Sequence, residues 1–162
     1  MPNFREYLKS SNFNYSKFEH IKLTMASLRQ HLTKKGYKRI KLTPVGTGHL
    51  KFAATINGVL GEFILDTGAS NTCIGFEDLE RFKLFAEDRE VKAAGAGAID
   101  MLTQISQDNL IEIDTWSTRS VSIVLFDLSH VNQALINHEA SPVSGIIGAD
   151  ILKKGKAVID YQ

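Results

Sequence analysis

The chain has 162 residues, 43% hydrophobic and 23% charged, with 19 Lys or Arg against 18 Asp or Glu. This composition specifies about one domain with a buried core and excludes a globally disordered chain. No apolar run approaches the roughly 18–20 residues of a membrane span, the first residues lack the apolar core of a secretory signal, and the single Cys73 excludes an internal disulfide or a thiolate-rich zinc site, so a cytoplasmic location is expected.

The balanced charge hides an asymmetry. Residues 1–51 hold eleven Lys or Arg and only two acids, Glu6 and Glu19, which leaves 8 bases and 16 acids for the remainder. The favoured reading lays this basic segment against the acidic body of its own chain or a dimer mate. Contact with nucleic acid or a membrane surface through residues 1–51 is the alternative. Residues 1–45 read as a basic helical N-terminal extension. Pro2 suits a first helical turn, so a short helix near 3–9 is expected. Ser16 and Glu19 form a capping-box pattern. Apolar Phe18, Ile21, Met25, Leu28 and Leu32 then recur at spacings of three and four, and Gly36 is a natural stop, which predicts a helix over 17–35. The stripe is too short to demand a coiled coil and is expected to pack on the rest of the chain.

The period changes near residue 49. Leu50, Phe52, Ala54 and Ile56 alternate as in a half-buried strand. Asn57-Gly58 is a hairpin signal, and 60–65 forms the return strand. A strand over 71–74 and a short helix over 77–84 follow. Ala93-Ala94-Gly95-Ala96-Gly97-Ala98 reads as the small-residue tip of a hairpin or loop. Strands are expected at 109–114 and 119–126. The stretch 129–144, with Pro142, reads as a loop with a helical turn. Ile146-Ile147 continues as strand, a short helix spans 149–154, and 157–161 reads as a final strand. The five His share no metal-ligand spacing, and no phosphate loop or Ser-His-Asp arrangement is present, so neither metal nor cofactor is expected.

Asp66-Thr67-Gly68 closes the apolar run Phe63-Ile64-Leu65 and precedes Ala69-Ser70. An Asp at the end of a hydrophobic strand is costly to bury unless it is hydrogen-bonded, and Thr and Gly suit a tight turn that supplies the donors. About 80 residues later comes Gly145-Ile146-Ile147-Gly148-Ala149-Asp150-Ile151-Leu152. The two phrases in this order resemble the retropepsin-like aspartic proteases, over roughly residues 48–161. The resemblance implies a mostly β, closed-barrel acid-protease fold over 46–162, with residues 1–45 as an extension.

It further implies that Asp66, with Thr67 and Gly68, is catalytic. Ala69 and Ser70 would line the cleft, and Gly95, Ala96 and Gly97 would sit at the tip of a flap over bound peptide. Ile146, Ile147 and Gly148 would support the active-site loop, with Asp150 in the helix that follows. The chain holds a single Asp-Thr-Gly; Asp114-Thr115-Trp116 lacks the Gly and falls within an expected strand. The resemblance therefore implies a homodimer whose paired Asp66 residues hydrolyse a peptide or protein substrate with an activated water. A peptide-binding or dimerisation module that does not cleave is the alternative. Where retroviral members typically carry an acidic residue and an Arg, this chain has Ser70 and Ala149, wording closer to cellular and bacterial relatives.

Overall fold

The computed structural model describes residues 27–87 and 103–161. The described chain divides after Lys38 into two units. The first, 27–38, holds helix α1 (Leu28–Lys34). Ser27 is extended (ψ 155°) and caps the helix. Its hydroxyl accepts from Gln30 N at 3.2 Å, and Gln30 Oε1 accepts from Ser27 N at 3.0 Å. This reciprocal pair satisfies two N-terminal donors, so a helix starts at Leu28 rather than running unbroken through Ser27 as 17–35 would require. Gly36, with φ 85°, ends it as expected. The rest of the expected helix, and the one near 3–9, lie outside the described residues.

The second unit is built from strands. They are β1 (Thr43–Pro44), β2 (Leu50–Ile56), β3 (Val59–Leu65), β4 (Cys73–Gly75), β5 (Ala86–Glu87), β6 (Gln104–Ile113), β7 (Trp116–Phe126) and β8 (Gly145–Ile147). The sheet order is β1-β2-β3-β8-β4-β7-β6-β5, and β2 also pairs with β6. That last pairing closes β2, β3, β8, β4, β7 and β6 into a six-stranded barrel, the mostly β architecture expected.

Alternation explains the barrel's interior. Phe52, Ala54 and Ile56 of β2 face Phe63 of β3, Ile111 of β6, Val121, Ile123 and Leu125 of β7, and Ile147 of β8, all at 5% exposure or less. The β2–β3 hairpin turns at Asn57 (φ 48°) and Gly58 (φ 83°), the two left-handed positions that a twist-compatible two-residue turn requires. Asn57 also ties the turn to β6: its Oδ1 accepts from Leu110 N at 2.9 Å, and its Nδ2 donates to Asn109 Oδ1 at 2.8 Å. Asn109 is buried at a register irregularity of β6, where its amide donates to Ser106 O and Val121 O. Local polar pairing thus compensates for a broken ladder.

Several expectations are corrected. Strands β6 and β7 are longer than 109–114 and 119–126, and Asp114 (φ 54°) lies in the turn between them, not in a strand. The expected helix over 77–84 is a 3-10 turn at Phe76–Asp78 followed by further turns, and the strand over 71–74 begins only at Cys73. The loop expected over 129–144 contains helix α2 (Ser129–Asn137). Asp127 Oδ1 accepts from Ser129 N at 2.8 Å to open it, and Val131 and Leu135 pack on Ile64, Val143 and Ile146. Helix α3 (Ala149–Lys154) matches its expected bounds. Residues 157–161 are not a strand: among the described residues, no strand pairs with them.

Candidate active site

Asp66 is placed by the parallel pairing of β3 with β8. Phe63, Ile64 and Leu65 lie opposite Gly145, Ile146 and Ile147, and Asp66 N donates to Ile147 O at 3.1 Å. The chain leaves the sheet immediately afterwards. Gly68 N donates to Asp66 Oδ1 at 2.7 Å, so the turn holds one carboxylate oxygen with its own backbone. A Cβ on Gly68 would lie 3.2 Å from that oxygen, tight enough to favour the glycine. Asp66 is half-buried, while Thr67, Gly68 and Ser70 are exposed and Ala69 is half-buried.

The second phrase docks directly on this turn. Ala149 N donates to Ala69 O at 2.8 Å. Gly148 is buried, and a Cβ there would stand 2.6 Å from Asn71 O and 2.9 Å from Ala69 O. Only a residue without a side chain lets β8 approach the turn so closely. Ile146 and Ile147 face opposite sides. Ile147 is buried in the barrel at 0% exposure, whereas Ile146 is half-buried on the outer face beneath α2. The support expected of the pair is thus divided between two apolar clusters.

The sequence from 52 to 151 matches the family model described as aspartyl protease. The chain belongs to the aspartyl protease family. Three solved structures are similar to it. EIAV protease complexed with the inhibitor HBY-793 has 18% identity, 76% of this chain and 94% of that chain covered, and a TM-score of 0.47. A retropepsin-like aspartic protease from Rickettsia conorii has 18% identity, coverages of 78% and 90%, and a TM-score of 0.45. The retroviral protease-like domain of Ddi1 from Leishmania major has 22% identity, coverages of 75% and 84%, and a TM-score of 0.44. No curated protein matches.

In this aspartyl protease chain the two phrases are joined by Thr72, a residue that sequence spacing does not single out. Thr72 is fully buried. Its Oγ1 donates to Asp150 Oδ1 at 2.8 Å and accepts from Gly148 N at 3.1 Å. One hydroxyl therefore ties the turn after Asp66, the end of β8 and the first turn of α3. A Thr six positions past the Asp carries no signal for a partner 78 residues away; only the fold brings them together. Arg81 is a second such residue. Its guanidinium donates to Ser144 Oγ at 2.9 Å and Leu60 O at 2.8 Å, and stands 3.2 Å from Asp78. It thereby fastens the segment after β4 to the approaches of β3 and β8.

Cys73 begins β4 beside this network. Its Sγ donates to Asn71 O at 3.2 Å. Burial, and then the nearby Asp150 and Asp66 carboxylates, push its thiol from 9.0 up to about 12. A thiol held protonated is a poor nucleophile, consistent with a small packing residue. Gly95, Ala96 and Gly97 lie outside the described residues. The strands flanking that segment are paired, Ala86 with Ser106 and Glu87 with Ile105. Among the described residues, no helix is long and apolar enough to cross a membrane.

Proposed function

We propose that this chain is an aspartic endopeptidase in which Asp66 and the Asp66 of a second copy form the catalytic pair at a twofold axis. The observation that carries this reading is the isolation of Asp66. At the end of its strand it has one oxygen held by Gly68 N and, among the described residues, no side-chain hydrogen-bond partner. The neighbouring carboxylate, Asp150, is engaged with Thr72 instead. One chain supplies one carboxylate, and the chemistry needs two.

In the pair, like charges close together cannot both ionise, so the two carboxyl groups share a proton. The ionised member takes a proton from water as that water attacks the peptide carbonyl. The protonated member donates to the carbonyl oxygen, giving a gem-diol; on its collapse the C–N bond breaks as the first carboxyl passes its proton to the leaving amine and the second takes back a proton from a gem-diol hydroxyl. Thr67 would hold the two active-site turns together across the axis, and Ala69 and Ser70 would flank the substrate backbone. Gly95 to Gly97 would close over a peptide bound in extended form. Gly148, Ile147 and Asp150 position the turn. The domain limits that go with this reading are a basic extension over 1–45 and the protease domain over 46–162.

The test is cleavage of a complex peptide mixture between about pH 4 and 7, wild type beside Asp66→Asn, with the mass of each measured in solution. Cleavage by a wild-type dimer and none by a folded, dimeric Asp66→Asn is expected. Retained cleavage by the variant refutes the assignment. A stable dimer that binds peptides without cutting them transfers the site to a peptide-binding role.

A further inference from the structure

The basic side chains of the first unit take no part in the contacts described above. Residues 27–38 hold Arg29, Lys34, Lys35 and Lys38 and no acid, and all four are exposed. Capping α1 is not their role. Gly36 N donates to Thr33 O at 3.0 Å and Tyr37 N donates to Leu32 O at 3.1 Å, with Gly36 at φ 85°. The main chain thus closes the helix by itself in a Schellman turn.

Nor do these bases neutralise the acids of their own chain. Of the 18 Asp and Glu, Glu6 and Glu19 precede residue 39 and the other 16 follow it. The only ion pair among the described residues joins Arg81 and Asp78, so none of the four bases is paired with a described acid. By sequence, residues 1–38 carry eight Lys or Arg against those two acids, an excess of six. Such an excess, left unpaired while carboxylates are available in the same chain, draws its counter-charge from outside.

We propose that this unit binds the phosphate backbone of a single nucleic-acid strand, through Arg29, Lys34, Lys35 and Lys38. A strand presents one full negative charge per nucleotide, and each base that meets a phosphate releases a condensed counterion. The turn at Gly36 keeps three of the four bases within five residues. Tyr37, half-buried, lies between Lys35 and Lys38 in the chain, and strand-binding surfaces combine aromatic rings with cations in this way. A lipid surface fits less well. Helix α1 has seven residues, and Leu28 is its one exposed large apolar side chain, too little apolar surface to enter a bilayer. The inference concerns binding alone and does not depend on the cleavage chemistry at Asp66.

The experiment measures fluorescence anisotropy of labelled mixed-sequence single-stranded DNA and RNA, each about 16 nucleotides long, titrated with the full chain from about 50 to 200 mM salt. Saturable binding is expected, with log affinity falling against log salt at a slope of about −3 or steeper, from four contacts at about −0.7 each. Lys34→Gln, Lys35→Gln and Lys38→Gln together should reduce that slope by about 2 and weaken binding about thirtyfold at about 0.2 M salt. The mass in solution and the thermal unfolding of the triple variant should match wild type. Absence of saturable binding up to about 1 mM overturns the proposal, and so does an unchanged slope in the triple variant. Equal affinity for poly-glutamate or for phosphatidylserine vesicles overturns it in favour of an acidic protein or a membrane. A triple variant that loses a dimer formed by wild type also overturns it, because the bases then serve a second copy of the chain.

Discussion

Replacing Thr72 by Val changes almost nothing in size and removes one hydroxyl. That hydroxyl accepts from the buried Gly148 N and donates to Asp150 Oδ1. A buried N–H left without an acceptor costs about 1–3 kcal/mol. Asp150 is only half-buried, so water replaces most of what it loses and adds about 0.5 kcal/mol at most. The expected loss is therefore about 1–3.5 kcal/mol. For a chain of this length, that corresponds to a fall in melting temperature of roughly 2–14 °C. Thr72→Ser keeps the hydroxyl and should lose far less. The assay is denaturant and thermal unfolding of wild type, Thr72→Val, Thr72→Ser, Asp150→Ala and the Val–Ala double variant. Coupling between positions 72 and 150 should be measurable in the cycle. If Thr72→Val lies within about 0.5 kcal/mol of wild type, the bridge is not what joins the two phrases. If Thr72→Ser is as damaging as Thr72→Val, methyl packing rather than the hydroxyl is responsible.

Other outcomes follow from the same geometry. Gly148→Ala introduces a Cβ against Asn71 O and Ala69 O; a loss of roughly 1–3 kcal/mol and of peptide cleavage is expected, and a variant as stable and active as wild type contradicts the close approach. Cys73 has its thiol raised in the folded state. That contribution to stability is complete below pH 9.0 and is lost as pH rises towards about 12. Unfolding curves from pH 8 to 10.5 should therefore fall more steeply for wild type than for Cys73→Ala, and parallel slopes would refute this. Asp127 is held below the ordinary Asp value of 3.8, first by the Ser129 hydroxyl and then by the Ser129 N–H. The stability it lends to the start of α2 is present above that value and lost as pH falls further. Amide exchange at the first turn of α2 should show this loss, and Asp127→Asn should remove the pH dependence.

The local elements were legible where a short stretch contained its own cause. Asn57-Gly58 specifies its turn because those two residues tolerate the left-handed backbone. The alternation of Phe52, Ala54 and Ile56 specifies an inward face. Helix α3 ends before Gly155, as expected. Of the candidate site, the turn after Asp66 was legible for the same reason, because Gly68 answers a local demand of a tight turn; Gly148 was named only through the resemblance, and its close approach to Ala69 and Asn71 is a tertiary contact. Helix α2 was missed because its apolar stripe is short, and its cap comes from Asp127, just outside the segment. The strand read over 157–161 failed because alternation describes a face without supplying an edge to pair with.

Long-range relations belong to the tertiary structure alone. β3 lies parallel to β8, and β2 leaves β1 for β6. Thr72 meets Asp150 across 78 residues, and Arg81 reaches both Leu60 and Ser144. No periodicity encodes such meetings, because the partners are chosen by barrel closure rather than by neighbours in the chain. The residues themselves determined that a carboxylate would stand at the end of a strand in a tight turn. Closure of the barrel decided which hydroxyl, which glycine and which strand end would hold it there.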